Sequence, residues 1–240
     1  MITSPQNEKL KLVRKLRDRK HREREALFAT EGEDLLEAGL AAGAEPRFVL
    51  VAAGAGIEAV PGAEEVEADL LTEISSLGSG TRAIAVWPLR WAEQPATPCL
   101  YLHGVADPGN VGTIIRSVDA LLGGSVVLGP DCADPYSPKA VRATMGSIFA
   151  QPPTRAQIRA TPEPRVALVV HGGAPLDVLD GAATLCLGAE REGLPAAVLA
   201  ECQARATIPL RSGAESLNVA AAAAIGAQRI SSASHAGGQT

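Results

Sequence analysis

Aromatic side chains are scarce in this sequence. Phe, Trp and Tyr make up 3% of the 240 residues, which disfavours a surface that binds RNA mainly by stacking bases on aromatic rings. The four histidines are isolated in the sequence, and this spacing argues against a metal site. A hydrophobic content of 46% and a charged content of 20% are typical of a globular protein with an ample core.

The sequence also lacks paired cysteines and long apolar runs. Cys99, Cys132, Cys186 and Cys202 are far apart and form no C-x-x-C pair, so we expect small buried thiols in a reducing compartment. The longest apolar run, 219–225, is much shorter than the roughly 18 residues of a membrane span. The charged N-terminus has no apolar core of a signal peptide. We therefore expect a soluble cytoplasmic protein with no membrane partner and no metal.

Charge is distributed unevenly along the chain. The formal net charge is −5, but residues 1–25 contain nine basic and four acidic residues, a balance of +5 that leaves −10 on the other 215 residues. A basic segment on an acidic body is a candidate contact for nucleic acid. The alternative is a solvated helix face whose charges pair with one another. The basic residues are Lys9, Lys11, Arg14, Lys15, Arg17, Arg19, Lys20, Arg22 and Arg24.

Two α/β halves are predicted from the order of apolar segments. A charged helix over 4–27 opens the first half, 1–87, and a stretch with two prolines, 88–97, is typical of a linker. The second half, 98–231, repeats a strand–turn–helix rhythm that favours a parallel sheet. We expect the last residues, 232–240, to form a flexible tail.

Three loops of the second half follow predicted strands, at 107–110, 188–195 and 211–218. Ligands of parallel α/β sheets bind at the carboxyl ends of the strands. The first loop opens a helix, for which we predict Asn110 as N-cap and Arg116 on the face opposite the apolar stripe. The alternative for this stretch alone is a capped surface helix with a solvated arginine.

The other two loops add polar side chains to the same edge of the sheet. Glu190 lies in the second loop, while Ser216 and Asn218 precede an Ala-rich helix that is predicted to end near Ile230. The N-terminus of such a helix can hold an anion such as phosphate. Capping explains Ser216 but leaves Asn218 unexplained. Together these residues predict a site for an anionic or polyanionic substrate.

At these loops the sequence resembles the SpoU/TrmH family of RNA ribose 2′-O-methyltransferases, which belong to the SPOUT class. The resemblance covers nearly the whole chain. Segments Asp107–Ser117, Leu187–Leu194 and Ile208–Val219 are similar to the three family motifs, in the same order. Segment 137–147 resembles a further family segment. The basic start of the chain, through 28–32, resembles the small RNA-binding domain that many members carry.

The resemblance implies a fold, a cofactor and an assembly. It implies a knotted SPOUT-type parallel-sheet domain over 98–231, preceded by an L30e-like RNA substrate-binding domain over 1–87. It also implies S-adenosylmethionine (SAM) bound in the trefoil knot, and a homodimer with its active site at or near the subunit interface. The cofactor positions carried over are Leu187, Gly188, Ile208, Leu210 and Leu217. The catalytic positions carried over are Asn110, Arg116, Glu190, Ser216 and Asn218.

Arg116 corresponds to the family's proposed catalytic arginine, which takes the proton of a ribose 2′-OH. A guanidinium pKa above about 12 makes the neutral base scarce. A milder role is therefore to hold a phosphate and stabilise charge while the proton is relayed. Methyl transfer from the activated sulfonium of SAM needs no metal, because catalysis is mainly alignment. One departure is Arg191, where many relatives have Gly.

The resulting hypothesis is SAM-dependent methylation of a ribose 2′-OH in structured RNA. We expect a 23S-like rRNA rather than tRNA, because an appended N-terminal domain suits a structured rRNA target. One alternative is a non-catalytic RNA-binding or ribosome-assembly factor, which the intact set of polar site residues disfavours. Another is a Rossmann-type nucleotide enzyme, based on G-x-G-x-x-A at 54–59, which Pro61 interrupts.

Overall fold

The computed structural model describes residues 1–57, 60, 62–76, 80–212 and 215–236, with side chains described as far as 233. The chain forms two compact units: Met1–Arg90 with Tyr136–Phe149, and Trp91–Pro135 with Ala150–Thr240. Tyr136–Phe149 thus belongs to the first unit, although its place in the sequence lies inside the predicted second domain. Among the described residues no helix is both long and apolar enough to cross a membrane.

The first unit contains a mixed four-stranded sheet. Its strands lie in the order β1-β4-β2-β3, in which β4 is antiparallel to β1 and β2, and β2 is parallel to β3. The elements are α1 (Glu8–Lys15), α2 (Arg19–Glu25), β1 (Leu27–Glu31), α3 (Glu33–Ala41), β2 (Phe48–Ala52), β3 (Ala63–Val66), α4 (Ala68–Glu73), β4 (Ala83–Pro88), α6 (Pro138–Thr144) and the start of α7 (Ser147–Ala150).

The charged segment 4–27 forms two helices, so the prediction of one helix was wrong. The chain turns at Asp18, whose backbone is extended and whose carboxylate accepts a 2.9 Å hydrogen bond from the Lys20 amide. Asp18 is therefore the N-cap of α2, because its side chain satisfies an amide that the helix leaves unpaired. The apolar residues of α1, Leu10 and Val13, are buried in the core of the unit, as their spacing predicted.

The second unit contains a six-stranded sheet in the order β10-β8-β9-β5-β6-β7, and every neighbouring pair is parallel. The predicted parallel α/β class is therefore confirmed. All residues of β5 and β9 are buried, which explains their unbroken apolar character. The elements are β5 (Cys99–Leu102), α5 (Pro108–Leu122), β6 (Ser125–Leu128), the end of α7, β7 (Thr154–Arg155), β8 (Arg165–Leu168), β9 (Thr184–Leu187), α8 (Ala196–Leu199), β10 (Ala204–Ala206) and α9 (Val219–Ala236).

Helix α9 differs from its predicted extent. It continues to Ala236, so 232–236 is helical where a tail was expected, and residues 237–240 lie outside the described part of the chain. Also outside it are Gly213 of the third loop, and Pro61 with the last two residues of the G-x-G-x-x-A match. Within the described part of that match, Gly54 and Gly56 have positive φ and begin no helix.

Candidate active site

The carboxyl ends of β8 and β9 and the loop after β10 enclose a cavity of about 330 Å3. The order of the strands explains its position: the chain extends the sheet from β5 to β7 and then returns to the other side of β5 to form β8, β9 and β10. Such a reversal is where parallel α/β sheets bind ligands. The volume lies within the range of small-molecule sites, about 300–1,000 Å3.

All five positions that the resemblance assigned to the cofactor line this cavity. They come from three separate stretches of chain, which only the fold brings together. Most of the lining side chains are aliphatic, so the cavity suits an apolar ring with polar groups at its mouth. The five positions are Leu187, Gly188, Ile208, Leu210 and Leu217.

Gly188 allows the loop after β9 to fold tightly on itself. A Cβ atom at this position would lie 2.1 Å from the carbonyl carbon of Gly193 and 2.4 Å from the amide nitrogen of Leu194. The loop is closed by a 3.0 Å hydrogen bond from the Gly193 amide to the Ala189 carbonyl. No side chain fits at position 188 without displacing backbone, and that backbone forms one wall of the cavity.

A chain of side-chain hydrogen bonds joins three loops beside the cavity. The Asn110 amide donates from Nδ2 to Oε1 of Glu190 over 2.7 Å. The Asn218 amide donates from Nδ2 to Oδ1 of Asn110 over 3.1 Å. Glu190 itself lines the cavity. Three of the predicted catalytic residues are thus brought together, and one of them also borders the cavity.

The two helices at this site are capped differently from the prediction. The N-cap of α5 is Asp107, whose Oδ1 accepts a 2.9 Å bond from the Asn110 amide nitrogen. Asn110 was therefore wrongly predicted as the cap, and its side chain is available to bridge Glu190 and Asn218. Asn218 precedes α9 and its Oδ1 accepts from the Ala220 amide over 2.8 Å, so Asn218 takes the capping role predicted for Ser216.

Ser216 and Arg116 occupy different places relative to this bridge. Ser216 is exposed and lines the cavity. Arg116 projects from the exposed face of α5 and does not line the cavity. Within the described part of the chain, its guanidinium makes no hydrogen bond or ion pair. The single chain therefore brings together four of the five predicted catalytic residues and leaves Arg116 facing solvent.

Some of the cavity was not found by sequence reasoning. Val169 and Val170, directly after β8, also line it, although no motif distinguishes them. Their position could have been predicted, because Val169 and Val170 directly follow β8, and the carboxyl end of β8 lies at the same edge of the sheet as the other lining loops. Arg191, the departure from the family pattern, is an exposed lining residue. Among the described residues, no group of three or more His, Cys, Asp or Glu is placed to hold a metal ion.

The core beneath this edge holds a buried phenol and thiols. Tyr101 of β5 packs with Cys99 and Cys186 on one face of the sheet, and all three are fully buried. Burial raises the pKa of the Tyr101 hydroxyl to about 12, and it raises the pKa of the Cys99 thiol. These groups are therefore protonated at neutral pH, and they act as packing rather than as acids or bases.

Comparison with known proteins identifies the family. The model of the SpoU rRNA Methylase family matches residues 98–228, more than half of the chain. The chain belongs to the SpoU rRNA methylase family. The resemblance stated from the sequence is confirmed, and with it the methyltransferase class and the SPOUT-type fold. A second family model, the MRM3-like substrate binding domain, matches residues 7–83, so a segment similar to that family precedes the methylase match.

Individual relatives resemble the chain over nearly its full length. The 23S rRNA (guanosine(2553)-2′-O)-methyltransferase RlmP of Bacillus subtilis is 31% identical, over 93% of this chain and 96% of its own. The crystal structure of an AdoMet-bound rRNA methyltransferase from Sinorhizobium meliloti has a TM-score of 0.84 at 30% identity, covering 95% of each chain. The SpoU methyltransferase AviRb of Streptomyces viridochromogenes, in complex with AdoMet, has a TM-score of 0.80 at 25% identity, covering 93% and 97%.

Proposed function

We propose that this SpoU methylase transfers a methyl group from SAM to a ribose 2′-OH of ribosomal RNA, with 23S rRNA as the substrate class. The observation that carries the proposal is Glu190, which lines the cavity and also accepts the hydrogen bond of Asn110. The cavity is thus adjacent to the hydrogen-bonded bridge of Asn110, Glu190 and Asn218. The relatives' names support the substrate class, since RlmP of Bacillus subtilis acts on 23S rRNA.

The residues of the cavity fit SAM. Its aliphatic walls suit the adenine ring, and the tight backbone at Gly188 leaves main-chain groups at the wall. SAM supplies a methyl group on a positively charged sulfur, already activated for transfer. Two related structures contain this cofactor. We assign Leu187, Ile208, Leu210 and Leu217, together with Gly188, to cofactor binding.

We assign the polar residues beside the cavity to the RNA substrate rather than to SAM. Asn110, Glu190 and Asn218 fix the three loops relative to one another, and Ser216 is an exposed residue that lines the cavity. As the 2′-oxygen forms its bond to the methyl carbon, the carbon–sulfur bond breaks and the hydroxyl loses its proton. The Arg116 guanidinium binds the neighbouring phosphate and stabilises the developing charge on oxygen, while the proton is relayed to water. This role agrees with a guanidine that stays charged.

The exposed position of Arg116 supports a site completed by a second copy of the chain. Its side chain lies outside the cavity of its own chain, so we propose a homodimer in which the active site lies at the subunit interface. An rRNA substrate agrees with the cytoplasmic location expected from the sequence. We place RNA recognition in the amino-terminal domain, which matches a substrate-binding family.

The test separates cofactor binding from chemistry. Isothermal titration with SAM is combined with mass-spectrometric mapping of 2′-O-methyl marks on rRNA and tRNA, with and without the protein. We expect SAM binding, a new mark on 23S rRNA and none on tRNA. Arg116→Ala is expected to lower methyl transfer by at least 100-fold, the usual scale of a catalytic electrostatic group, while SAM affinity stays within severalfold.

The matched control is Arg159→Ala. Arg159 is also an exposed arginine of the second unit, and its only described ion pair is with Glu201, so its loss should leave turnover unchanged. Near-wild-type turnover of Arg116→Ala would remove Arg116 from the site. A well-folded protein that binds no SAM would instead favour the non-catalytic RNA-binding factor, and a mark on tRNA alone would overturn the rRNA assignment.

A further inference from the structure

Most cations of the basic amino-terminal segment are neutralised by neighbouring carboxylates. The partners of Lys11, Arg19 and Arg24 lie in the segment itself, as the alternative of a charged helix with paired charges expects. Lys9 and Arg14 pair instead with Glu64 of β3 and Glu73 of α4. Surface pairs of this kind contribute little to stability, but they reduce the charge available to a polyanion. The pairs are Lys9 with Glu64, Lys11 with Glu8, Arg14 with Glu73, Arg19 with Glu23, and Arg24 with Glu25.

Arg17 is an exception within this segment. Its side chain is exposed and, among the described residues, has no ion-pair partner. Its backbone is nevertheless fixed: the guanidinium of Arg22, only 3% exposed, donates 2.7 Å hydrogen bonds to the carbonyls of Leu16 and Arg17. A buried cation thus holds the turn between α1 and α2, and this turn presents a second, unpaired cation to solvent.

Arg142 is a second such cation and comes from a distant part of the sequence. It lies in the last turn of α6, within the segment Tyr136–Phe149 that packs on the first unit. Aromatic contacts anchor that segment, since Tyr136 lies 4.9 Å from the Phe28 ring and Phe149 lies 4.8 Å from the Trp87 ring, centroid to centroid.

The position of Arg142 follows from the rest of α6. The helix buries Ala140, Val141 and Thr144 against the unit, so Arg142 is left on the exposed side. Within the described part of the chain it has no ion-pair partner. Like Arg17, Arg142 is therefore an exposed cation whose backbone is held in place by packing of its own segment.

Arg17 and Arg142 line the same shallow groove of the first unit. The groove also contains Glu31, but its carboxylate accepts hydrogen bonds from the Ser75 hydroxyl over 2.7 Å and from the amide and hydroxyl of Ser76 over 2.9 and 2.7 Å. These donors hold the Glu31 carboxylate against the turn at Ser75 and Ser76, while Arg17 and Arg142 are both exposed.

We propose that Arg17 and Arg142 together form a phosphate-binding patch that holds the RNA backbone during methylation. The groove encloses about 20 Å3, too little for a base, so the ligand is a phosphate lying across its rim. Guanidinium groups bind phosphate in a bidentate manner. Such contacts set the position and orientation of the RNA rather than read its bases. The inference rests on the proposed function. It also assigns Arg142, which lies within the residues that match the methylase family, to the RNA-binding surface of the first unit.

The experiment measures RNA affinity separately from SAM affinity. A 23S rRNA fragment that the wild type methylates is titrated with Arg17→Gln, Arg142→Gln and the double variant, at several salt concentrations. Each single variant is expected to weaken RNA binding about three- to tenfold and to reduce the salt-dependence slope by about 1. SAM affinity should be unchanged, and single-turnover methylation at saturating RNA should return to within twofold of wild type.

The matched control is Arg24→Gln, because Arg24 is an exposed cation of the same segment with its carboxylate already beside it. It should change RNA affinity less than twofold, and circular dichroism verifies the fold of every variant. RNA binding within twofold of wild type for either Arg17→Gln or Arg142→Gln overturns the joint patch, even if the wild type methylates normally. A wild type that binds RNA and loses affinity in both variants, but transfers no methyl group, retains the patch and rejects the proposed function.

Discussion

Asn110 donates a 2.7 Å hydrogen bond from Nδ2 to Oε1 of Glu190, 80 positions later in the chain. Its other amide atom, Oδ1, accepts from Asn218. A side-chain amide presents a donor and an acceptor on the same carbon, whereas a carboxylate only accepts and a cation only donates. The bridge therefore explains why an amide, rather than an acid, stands at position 110.

The first prediction separates the two functions of Asn218. Asn218→Asp keeps an oxygen that caps α9 but loses the Nδ2 donor to Asn110, whereas Asn218→Ala loses both. We expect Asp to retain the free energy of unfolding within about 0.5 kcal/mol and Ala to lose about 1 kcal/mol. Both should lower the single-turnover rate about 5- to 100-fold, the scale of a lost hydrogen bond between polar groups.

Denaturant unfolding and rapid-quench methyl transfer measure the two effects independently. If Asn218→Asp transfers methyl groups at the wild-type rate, the bridge between Asn110 and Asn218 is dispensable. If it is destabilised as strongly as Asn218→Ala, the capping assignment is wrong instead. Asn and Asp are nearly equal in size, so Asn218→Asp preserves the packing around position 218.

Local sequence patterns predicted the strands of the second unit better than its helix caps. All residues of β5, β6 and β9 are buried, and most of them are apolar, so burial on both faces is visible in the sequence itself. Asp107 and Asn110 are both good caps, and the choice between them depends on where the chain leaves β5. The side-chain amide of Asn110 donates instead to Glu190, and a local sequence pattern cannot predict a contact between positions so far apart.

The least predictable feature was the packing of Tyr136–Phe149. Its sequence resembles a segment of the methylase family, and its position between β6 and β7 assigned it to the second domain. Its contacts with Phe28 and Trp87 depend on where those aromatic rings lie in the first unit. The shared groove of Arg17 and Arg142 follows from that packing, so the sequence alone offered no signal for it.

The second prediction concerns the tight loop at Gly188. Gly188→Ala places a Cβ 2.1 Å from the backbone of Gly193, which forces the cavity wall to shift. We expect SAM affinity to fall at least tenfold and the free energy of unfolding to fall by about 1–3 kcal/mol, as for other overpacked sites. Titration calorimetry and denaturant unfolding are the measurements.

Gly193→Ala is the control for that loop. A Cβ at position 193 meets no atom within 4 Å, and the backbone there has a positive φ of 68°. The substitution should therefore lower the free energy of unfolding only by the strain of that conformation, about 1 kcal/mol. SAM affinity should therefore fall less than in Gly188→Ala. Equal losses in the two variants would contradict the steric explanation and indicate that loop conformation, rather than close backbone approach, controls the cavity.

The third prediction concerns stability at alkaline pH. Burial raises the pKa of Tyr101 to about 12, compared with about 10 in an unfolded chain. The folded protein therefore holds this proton more tightly, and the unfolded chain ionises first as the pH rises. The contribution of Tyr101 to stability is complete below pH 10 and is lost between about pH 10 and 12, amounting to about 2–3 kcal/mol.

Tyr101→Phe removes the ionisable group and keeps the ring in the core. Its free energy of unfolding should fall less steeply than that of the wild type above pH 10, so the difference between the two proteins should shift by about 2–3 kcal/mol in favour of Phe by pH 12. The thiols are common to both proteins, and under reducing conditions their ionisation cancels in the difference. A difference that stays constant from pH 8 to 12 would show that Tyr101 titrates alike in the folded and unfolded chains.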